Sequence, residues 1–365
     1  MDPRALEIWR AGVAAVEGSA AVRAALAGTA RPDLVLAVGK AAGAMARGAL
    51  AGFPGIPTLV VTKDGHGGDL PGPVRVIEAA HPVPDARSLA AGAALRAAVA
   101  GMAPGAELLL LVSGGASSLA EDLVSGATLH DLATLNARLL ASGLGIAAMN
   151  RERRALSRIK GGGLLRDFPG ARVRVLAISD VPGDDLAVIG SGLGLAPEGA
   201  RFGYEARIVG TNRQARAAAA RAAREMGREV LACEEALHDD LAALAPRLGA
   251  RLRGMGRGVL VLGGEPTVTL PPRPGRGGRA QALALALARE ISGVEGLSVV
   301  VGGTDGSDGP TGDAGGLVDG ATWGPGAAEA LARADSGSYL AARGALLRTG
   351  PTGTNVMDLL VALRR

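Results

Sequence analysis

Short apolar runs, Gly-rich breaks and Ala/Leu-rich stretches follow one another along most of the chain. Leu34-Val35-Leu36-Ala37-Val38, after Arg31-Pro32-Asp33, predicts a buried strand, because a run of this length bounded by turn residues is too short for a helix. Comparable runs at 57–62, 74–79, 107–112, 173–178, 208–210, 230–232, 259–265 and 297–301 predict further strands, with a hairpin strand at 267–270. Between them, the spacing predicts helices over 4–28, 85–101, 128–145, 150–166, 235–254 and 280–291. Another helix opens at 39–46, and an Ala/Arg helix lies between 210 and 230. Asp85 is the expected N-cap of the 85–101 helix. Strand, Gly-rich turn and helix in repeated succession predict α/β architecture, with parallel sheets covered by helices on both faces. The breaker Gly254-Met255-Gly256-Arg257-Gly258 interrupts the pattern. At about 150 residues per domain, the 365 residues then divide into two domains, 1–250 and 251–365.

Composition narrows the function. Hydrophobic residues make up 48% of the chain and aromatic residues only 2%, so the core is built from aliphatic side chains. Base-stacking platforms for single-stranded nucleic acid need aromatic faces and are not expected. One Cys excludes a disulfide framework and a Cys-rich zinc site. The net charge of +4 is mild and no dense basic run supports nucleic-acid binding. No apolar run reaches the ~18 residues of a spanning helix, and no secretory leader pattern opens the chain, so a cytoplasmic protein without membrane partners is expected. Only three of the 39 basic residues are Lys: Lys40, Lys63 and Lys160, each close to Gly. A compact ammonium does different work from a planar guanidinium, which makes Lys40 in particular a candidate for phosphate or carboxylate contact.

Open α/β sheets bind ligands beyond the carboxyl ends of their strands. The candidate residues stand there: Gly39-Lys40, Ser113-Gly114-Gly115 with Ser117, Ser179-Asp180, Gly263-Gly264-Glu265 and Thr304-Asp305. The Ser113–Ser118 stretch offers bare backbone N–H groups and hydroxyls for an anion. Asp180 and Asp305 follow apolar strands directly and suit a nucleotide-bound Mg²⁺, which needs one or two carboxylates beside waters and phosphate oxygens. Arg279, in a Pro/Gly/Arg loop, suits bidentate recognition of carboxylate or phosphate. A structural, hydrogen-bonded role is the expectation for His66 and His81. Neither G-x-x-x-x-G-K-[ST] nor a clean G-x-G-x-x-G after the first strand is present.

Several strings in register resemble one family, the glycerate 2-kinases with a MOFRL-type C-terminal domain, traditionally labelled hydroxypyruvate reductases. They are Val38-Gly39-Lys40-Ala41, His81-Pro82-Val83-Pro84-Asp85, Ser113-Gly114-Gly115, Leu156–Gly162, Ile178-Ser179-Asp180-Val181, Gly277-Gly278-Arg279, Gly303–Thr311 and Thr349–Asn355. The resemblance implies a Rossmann-like N-terminal domain and a smaller MOFRL-type domain with the active site in the cleft between them. It also implies ATP- and Mg²⁺-dependent phosphorylation of D-glycerate at its 2-hydroxyl. Carried over, Lys40 and Arg279 match the family's catalytic or substrate-binding basic pair, and Asp180 and Asp305 its acidic loop positions; Lys40, Arg279 and Asp180 are the expected catalytic set, with Asp180 orienting the attacking hydroxyl or holding Mg²⁺. Ser113, Gly114, Gly115, Ser117 and Asn212 are the substrate-binding set, and Lys160, Gly161, Gly303, Thr304 and Asp305 hold the nucleotide or its phosphates. Asp180 and Asp305 are the metal carboxylates. Ala280 and Ala282 stand where the family carries Asn and Glu. An NAD(P)H-dependent hydroxypyruvate reductase and a non-catalytic nucleotide-binding relative stay open as alternatives. So does oligomeric state, a homodimer included.

Overall fold

The computed structural model describes residues 1–141 and 146–365. The chain forms two compact units. One holds Glu17–Thr211 with the short excursion Gly353–Asn355. The other holds Met1–Val16, Asn212–Thr352 and Val356–Arg365.

The first unit carries a six-stranded sheet of β1 (Leu34–Val38), β2 (Thr58–Lys63), β3 (Val74–Ala79), β4 (Glu107–Val112), β5 (Arg172–Ile178) and β6 (Gly203–Gly210). Every pair is parallel and the order is β3-β2-β1-β4-β5-β6. Central strands covered on both faces need no polar alternation, which is why β1 and β4 read as unbroken apolar runs. Leu36, Leu110 and Val175 are fully buried in a core with Leu95, Ile159 and Leu164. Truncating such a Leu to Ala costs about 2–5 kcal/mol. The chain order reverses between β1 and β4, the switch point beyond whose strand carboxyl ends open α/β sheets bind ligands. The helix Ala86–Ala100 is capped by Asp85 in a capping box with Ser88, as its sequence predicts.

The second unit holds β7 (Val230–Glu235), β8 (Gly258–Gly264), β9 (Leu297–Gly303), β10 (Gly315–Asp319), β11 (Leu346–Leu347) and β12 (Asp358–Arg364), ordered β11-β10-β9-β12-β8-β7. β12 lies between β8 and β9, antiparallel to both, so this sheet is mixed. Helices Leu241–Gly254 and Arg279–Glu290 pack on one face. Pro3–Ala14 and Asn212–Glu225 pack on the other, where Trp9 is buried and its indole N–H donates to the Leu359 carbonyl at 2.9 Å.

Several expected elements are corrected. The helix expected over 4–28 is two helices, Pro3–Ala14 and Gly18–Ala25, in different units. Glu17 starts the second by accepting the N–H groups of Ser19 and Ala20 at 2.9 and 2.8 Å. The 128–145 helix is seen as Leu129–Ala141, and 142–145 lie outside the described residues. The 150–166 helix is instead Ile146–Ala155, because Gly161 and Gly162 take positive φ (58° and 86°) that a right-handed helix excludes. The 235–254 helix begins at Leu241, capped by Asp240. No hairpin strand forms at 267–270; Thr267 makes only an isolated bridge to Asp240. The two units also differ from a single boundary at 250. β7 pairs with β8, and the helix Asn212–Glu225 packs on the mixed sheet, so residues from 212 onward join the second unit. Among the described residues, no helix is long and apolar enough to cross a membrane.

Candidate active site

In the parallel-sheet unit the loops after β1, β4 and β5 converge. Gly39 leaves β1 at φ 124°, with its Cα so close to Ser113 that any Cβ would overlap the Ser113 hydroxyl and carbonyl. The contact locks the two loops together: the Lys40 N–H donates to Gly114 O at 2.9 Å and the Ala41 N–H to Ser113 Oγ at 3.1 Å. Thr62 on β2 donates its hydroxyl to Gly39 O at 2.9 Å. The next two residues carry no side chain and face opposite groups. A Cβ on Gly114 would overlap the Asp180 carboxylate and the Asn355 amide, which are themselves joined by Asn355 Nδ2 donating to Asp180 Oδ2 at 3.3 Å. A Cβ on Gly115, whose φ is 83°, would sit 3.1 Å from Lys40 Cγ and 3.2 Å from His81 Nε2. Lys40, Ser113, Gly114, Gly115 and Asp180 are therefore brought together, as expected. His81 and Asn355 join them without having been assigned.

Beneath this loop lies a different kind of lysine. Lys160 Nζ meets Glu121 Oε2 at 2.5 Å, with side chains only 2% and 0% exposed. The Ser157 hydroxyl donates to the other Glu121 oxygen. Burial pushes the Lys160 amine below its ordinary pKa, against the opposing pull of Glu121. Its charge is engaged by Glu121 and shielded from solvent, so the expectation of a phosphate contact is corrected to an internal ion pair. Gly161 serves the same framework, with its N–H on Ser191 O at 3.0 Å. The Ser117 hydroxyl bonds Ser191 Oγ at 2.9 Å, one turn beyond the Gly114–Gly115 pair.

In the mixed-sheet unit, acidic groups gather around one guanidinium. Arg279 opens the helix Arg279–Glu290 and pairs with Glu265, just past β8, at 2.5 Å; its side chain is 40% exposed and so accessible to a ligand. Asp308 caps that helix, taking the N–H groups of Ala280 and Gln281 at 3.1 and 2.7 Å. Asp305, at the end of β9, accepts the Ser307 N–H at 2.8 Å. Asp358, the first residue of β12, lies opposite both Gly264 and Gly303, and its buried Oδ2 has no hydrogen-bond partner. Burial, despite the attraction of Arg279 and with repulsion from Asp308, Glu265 and Asp305, pushes the Asp358 carboxyl up to about 8. Burial likewise raises Asp308 to about 6, against the two backbone donors and Arg279. Burial works against the Arg279 charge too, but Asp358, Glu265 and Asp308 hold its pKa above the ordinary value.

Two residues expected at the ligand are braces instead. Asn212 is 2% exposed and donates its amide to the carbonyls of Val356 and Asp358, fixing the entry to β12. Thr304 is fully buried, donating its hydroxyl to Met357 O and accepting the Val356 N–H. Gly303 lies between them and the acidic group, its hypothetical Cβ 3.4 Å from oxygens of both Asp305 and Asp358. The carboxylates expected to bind metal, Asp180 and Asp305, lie in different units. Among the described residues, no three His, Cys, Asp or Glu side chains converge to hold a metal alone. Mg²⁺ asks less, keeping waters and taking phosphate oxygens beside one or two carboxylates. The hard oxygen donors of Asp305 and its acidic neighbours fit that chemistry.

A parallel α/β sheet with glycine-rich loops packed together at its switch point, followed by a mixed sheet carrying an Arg among carboxylates, defines a small-molecule-binding α/β class. Comparison with known proteins makes this specific. Residues 4–224 match the family described as "Domain of unknown function (DUF4147)", and residues 258–358 match the "MOFRL family". The chain belongs to the DUF4147 family, with a MOFRL domain as its second module. It is 34% identical to the D-glycerate 2-kinase of Thermotoga maritima, over 98% of this chain and 97% of that one. It is 36% identical to an Agrobacterium vitis protein provisionally named hydroxypyruvate reductase, over 90% of this chain and 86% of the relative. The crystal structure of glycerate kinase from Thermotoga maritima superposes with a TM-score of 0.85 at 33% identity, covering 99% of both chains.

Proposed function

We propose that this protein is a glycerate 2-kinase, transferring the γ-phosphoryl group of ATP to the 2-hydroxyl of D-glycerate. The carrying observation is the Gly114–Gly115 pair. Its two bare residues stand between Lys40 and His81 on one side and Asp180 and Asn355 on the other. Phosphoryl transfer depends on positioning and charge stabilisation more than on covalent chemistry. In this reading the backbone of Ser113–Gly115 orients the glycerate. Asp180, held by Asn355, takes the proton of the 2-hydroxyl as that oxygen attacks the γ-phosphorus. The bond to the bridging oxygen breaks and ADP leaves with its electron pair. Lys40 and Arg279 offset charge on the transferring group and on the glycerate carboxylate, which requires both to reach one ATP–glycerate pair in the working enzyme. Mg²⁺ would be held by Asp305 with waters and phosphate oxygens, and when bound would supply further neutralisation of the phosphates. Names of relatives support the substrate; the loops support the reaction type.

Protein mixed with Mg·ATP and D-glycerate should form ADP and 2-phosphoglycerate, identified by ³¹P NMR. Absence of turnover with D-glycerate and with other small hydroxy acids would refute the assignment.

A hydroxypyruvate reductase is the second reading, favoured by the order β3-β2-β1-β4-β5-β6, which is that of dinucleotide-binding sheets. The turn after β1 weighs against it. Gly39-Lys40-Ala41-Ala42-Gly43 has Ala41 where the fingerprint has the glycine that admits a pyrophosphate. Loss of NADH absorbance on adding hydroxypyruvate would reverse the ranking.

A further inference from the structure

Four strands stand at the margins of the two sheets: β3, β6, β7 and β11. Unpaired margins invite strand addition, and proteins usually blunt them. β11 is only two residues long. β7, Val230–Glu235, carries only acidic charges, so a second copy laid on it brings no basic partner. β3 is flanked by the loop at Gly67, whose N–H donates to Glu78 Oε1 at 3.0 Å.

β6 is eight residues long and carries charges of both signs, with the Tyr204 hydroxyl donating to Gly194 O at 2.8 Å and a register shift against β5 only at Ala177/Ile178. Residues 203–207 are all exposed. Gly203 donates its N–H to Ala171 O at 2.8 Å, beside β5. Backbone groups alternate sides along a strand, so Tyr204, Ala206 and Ile208 turn their N–H and C=O groups away from β5. The side chains Tyr204-Glu205-Ala206-Arg207-Ile208 form a self-complementary series about Ala206.

We propose that β6 is a self-association edge on which a second copy of this chain pairs antiparallel, about a two-fold axis at Ala206. Ala206 then exchanges both backbone hydrogen bonds with the partner's Ala206, and Tyr204 lies opposite the partner's Ile208. Glu205 lies opposite the partner's Arg207 in a non-hydrogen-bonded pair, the arrangement that brings side chains closest. Glu205 and Arg207 share one face of the strand. Glu205 already has Arg174 of β5 beside it, at 3.7 Å. Each junction therefore becomes an alternating row of Arg174, Glu205 and the partner's Arg207. β3 has no equivalent: its Arg75 and Glu78 point to opposite faces and cannot oppose each other across an antiparallel pair. Strand pairing alone buries less than the ~1,000 Å² of a durable interface, so the dimer forms in a concentration-dependent way.

Analytical ultracentrifugation of the full chain from micromolar to near-millimolar concentration tests this, and its readout is independent of the assigned reaction. The wild-type protein is expected to move from monomer to dimer. Arg207→Glu, an exposed change that places Glu opposite Glu205, should weaken association by about tenfold or more. Glu205→Arg combined with Arg207→Glu restores opposite charges and should recover it. Ala206→Pro, which removes the central outward N–H, should abolish it. A wild-type chain that stays monomeric throughout, or a dimer indifferent to Arg207→Glu and Ala206→Pro, overturns the proposal.

Discussion

The candidate residues fall into two halves, one in each unit, built by opposite strategies. At the end of the parallel sheet, neighbouring loops meet through bare backbone, with Lys40 and Asp180 flanking Gly114 and Gly115. At the end of the mixed sheet, side chains do the crowding. Arg279 is surrounded by Glu265, Asp308 and Asp358, and two of those carboxyls are pushed up into the range from about 6 to about 8. A parallel sheet collects loops at one end, so function can rest on glycines and a few local residues. Inserting β12 antiparallel brings an acidic residue from near the end of the chain into the centre, where burial governs its charge.

The largest effect should come from the first half. Lys40→Ala should lower kcat/KM about 10³-fold or more with little change in Tm, and Lys40→Arg should not restore it, since a point charge and a planar fork differ. Steady-state kinetics beside thermal melts decide this; retained activity in Lys40→Arg would break the assigned role. Lys160 is the internal control. Glu121→Gln should destabilise the fold by about 3–5 kcal/mol by stranding a buried ammonium, while activity per folded molecule at low temperature changes little. A selective rise in KM for ATP with unchanged stability would return Lys160 to the ligand.

The second half is sharpened by pH. Asp358 keeps a proton when folded that the unfolded chain releases near its ordinary value of 3.8. Its contribution to stability is complete below about pH 4 and is lost as pH rises through about 8. Asp308 adds a smaller loss between about pH 4 and about 6. Asp358→Asn should flatten this decline, gaining on wild type by about 2 kcal/mol or more between pH 4.5 and 8, since each tenfold in proton affinity is worth about 1.4 kcal/mol. Urea denaturation across that range measures it; a constant offset would contradict the burial argument. The smallest change is expected for Asn355→Ala, about tenfold in kcat, corresponding to one lost orienting hydrogen bond of about 1.4 kcal/mol.

Much of the first sheet was legible because strands buried on both faces read as unbroken apolar runs. β12 is equally apolar, with Leu359 to Leu363 all buried, but periodicity cannot tell such a run from a helix segment. β10, Gly315–Asp319, is glycine or acid at three of its five positions and gives almost no pattern. In the site, Lys40, Ser113 and Asp180 stand directly after strands, so local order indicates them. Asn355 is 175 residues from Asp180, and only the fold brings them together. Lys160 shows the converse. Its glycine neighbours suggested a ligand loop, whereas its environment is set by Glu121, 39 residues earlier.

The backbone's route has a practical outcome for anyone dissecting the molecule. The opening helix and the three-residue excursion at 353–355 are exchanged between bodies, so no single cut in linear order isolates either one. A scission at 250 would leave Val230–Glu235 on one fragment and its ladder neighbour Gly258–Gly264 on the other, and would strip Trp9 from Leu359. Stand-alone versions of each half call for a rewired gene order, with the first sixteen residues spliced onto the piece that begins at Asn212.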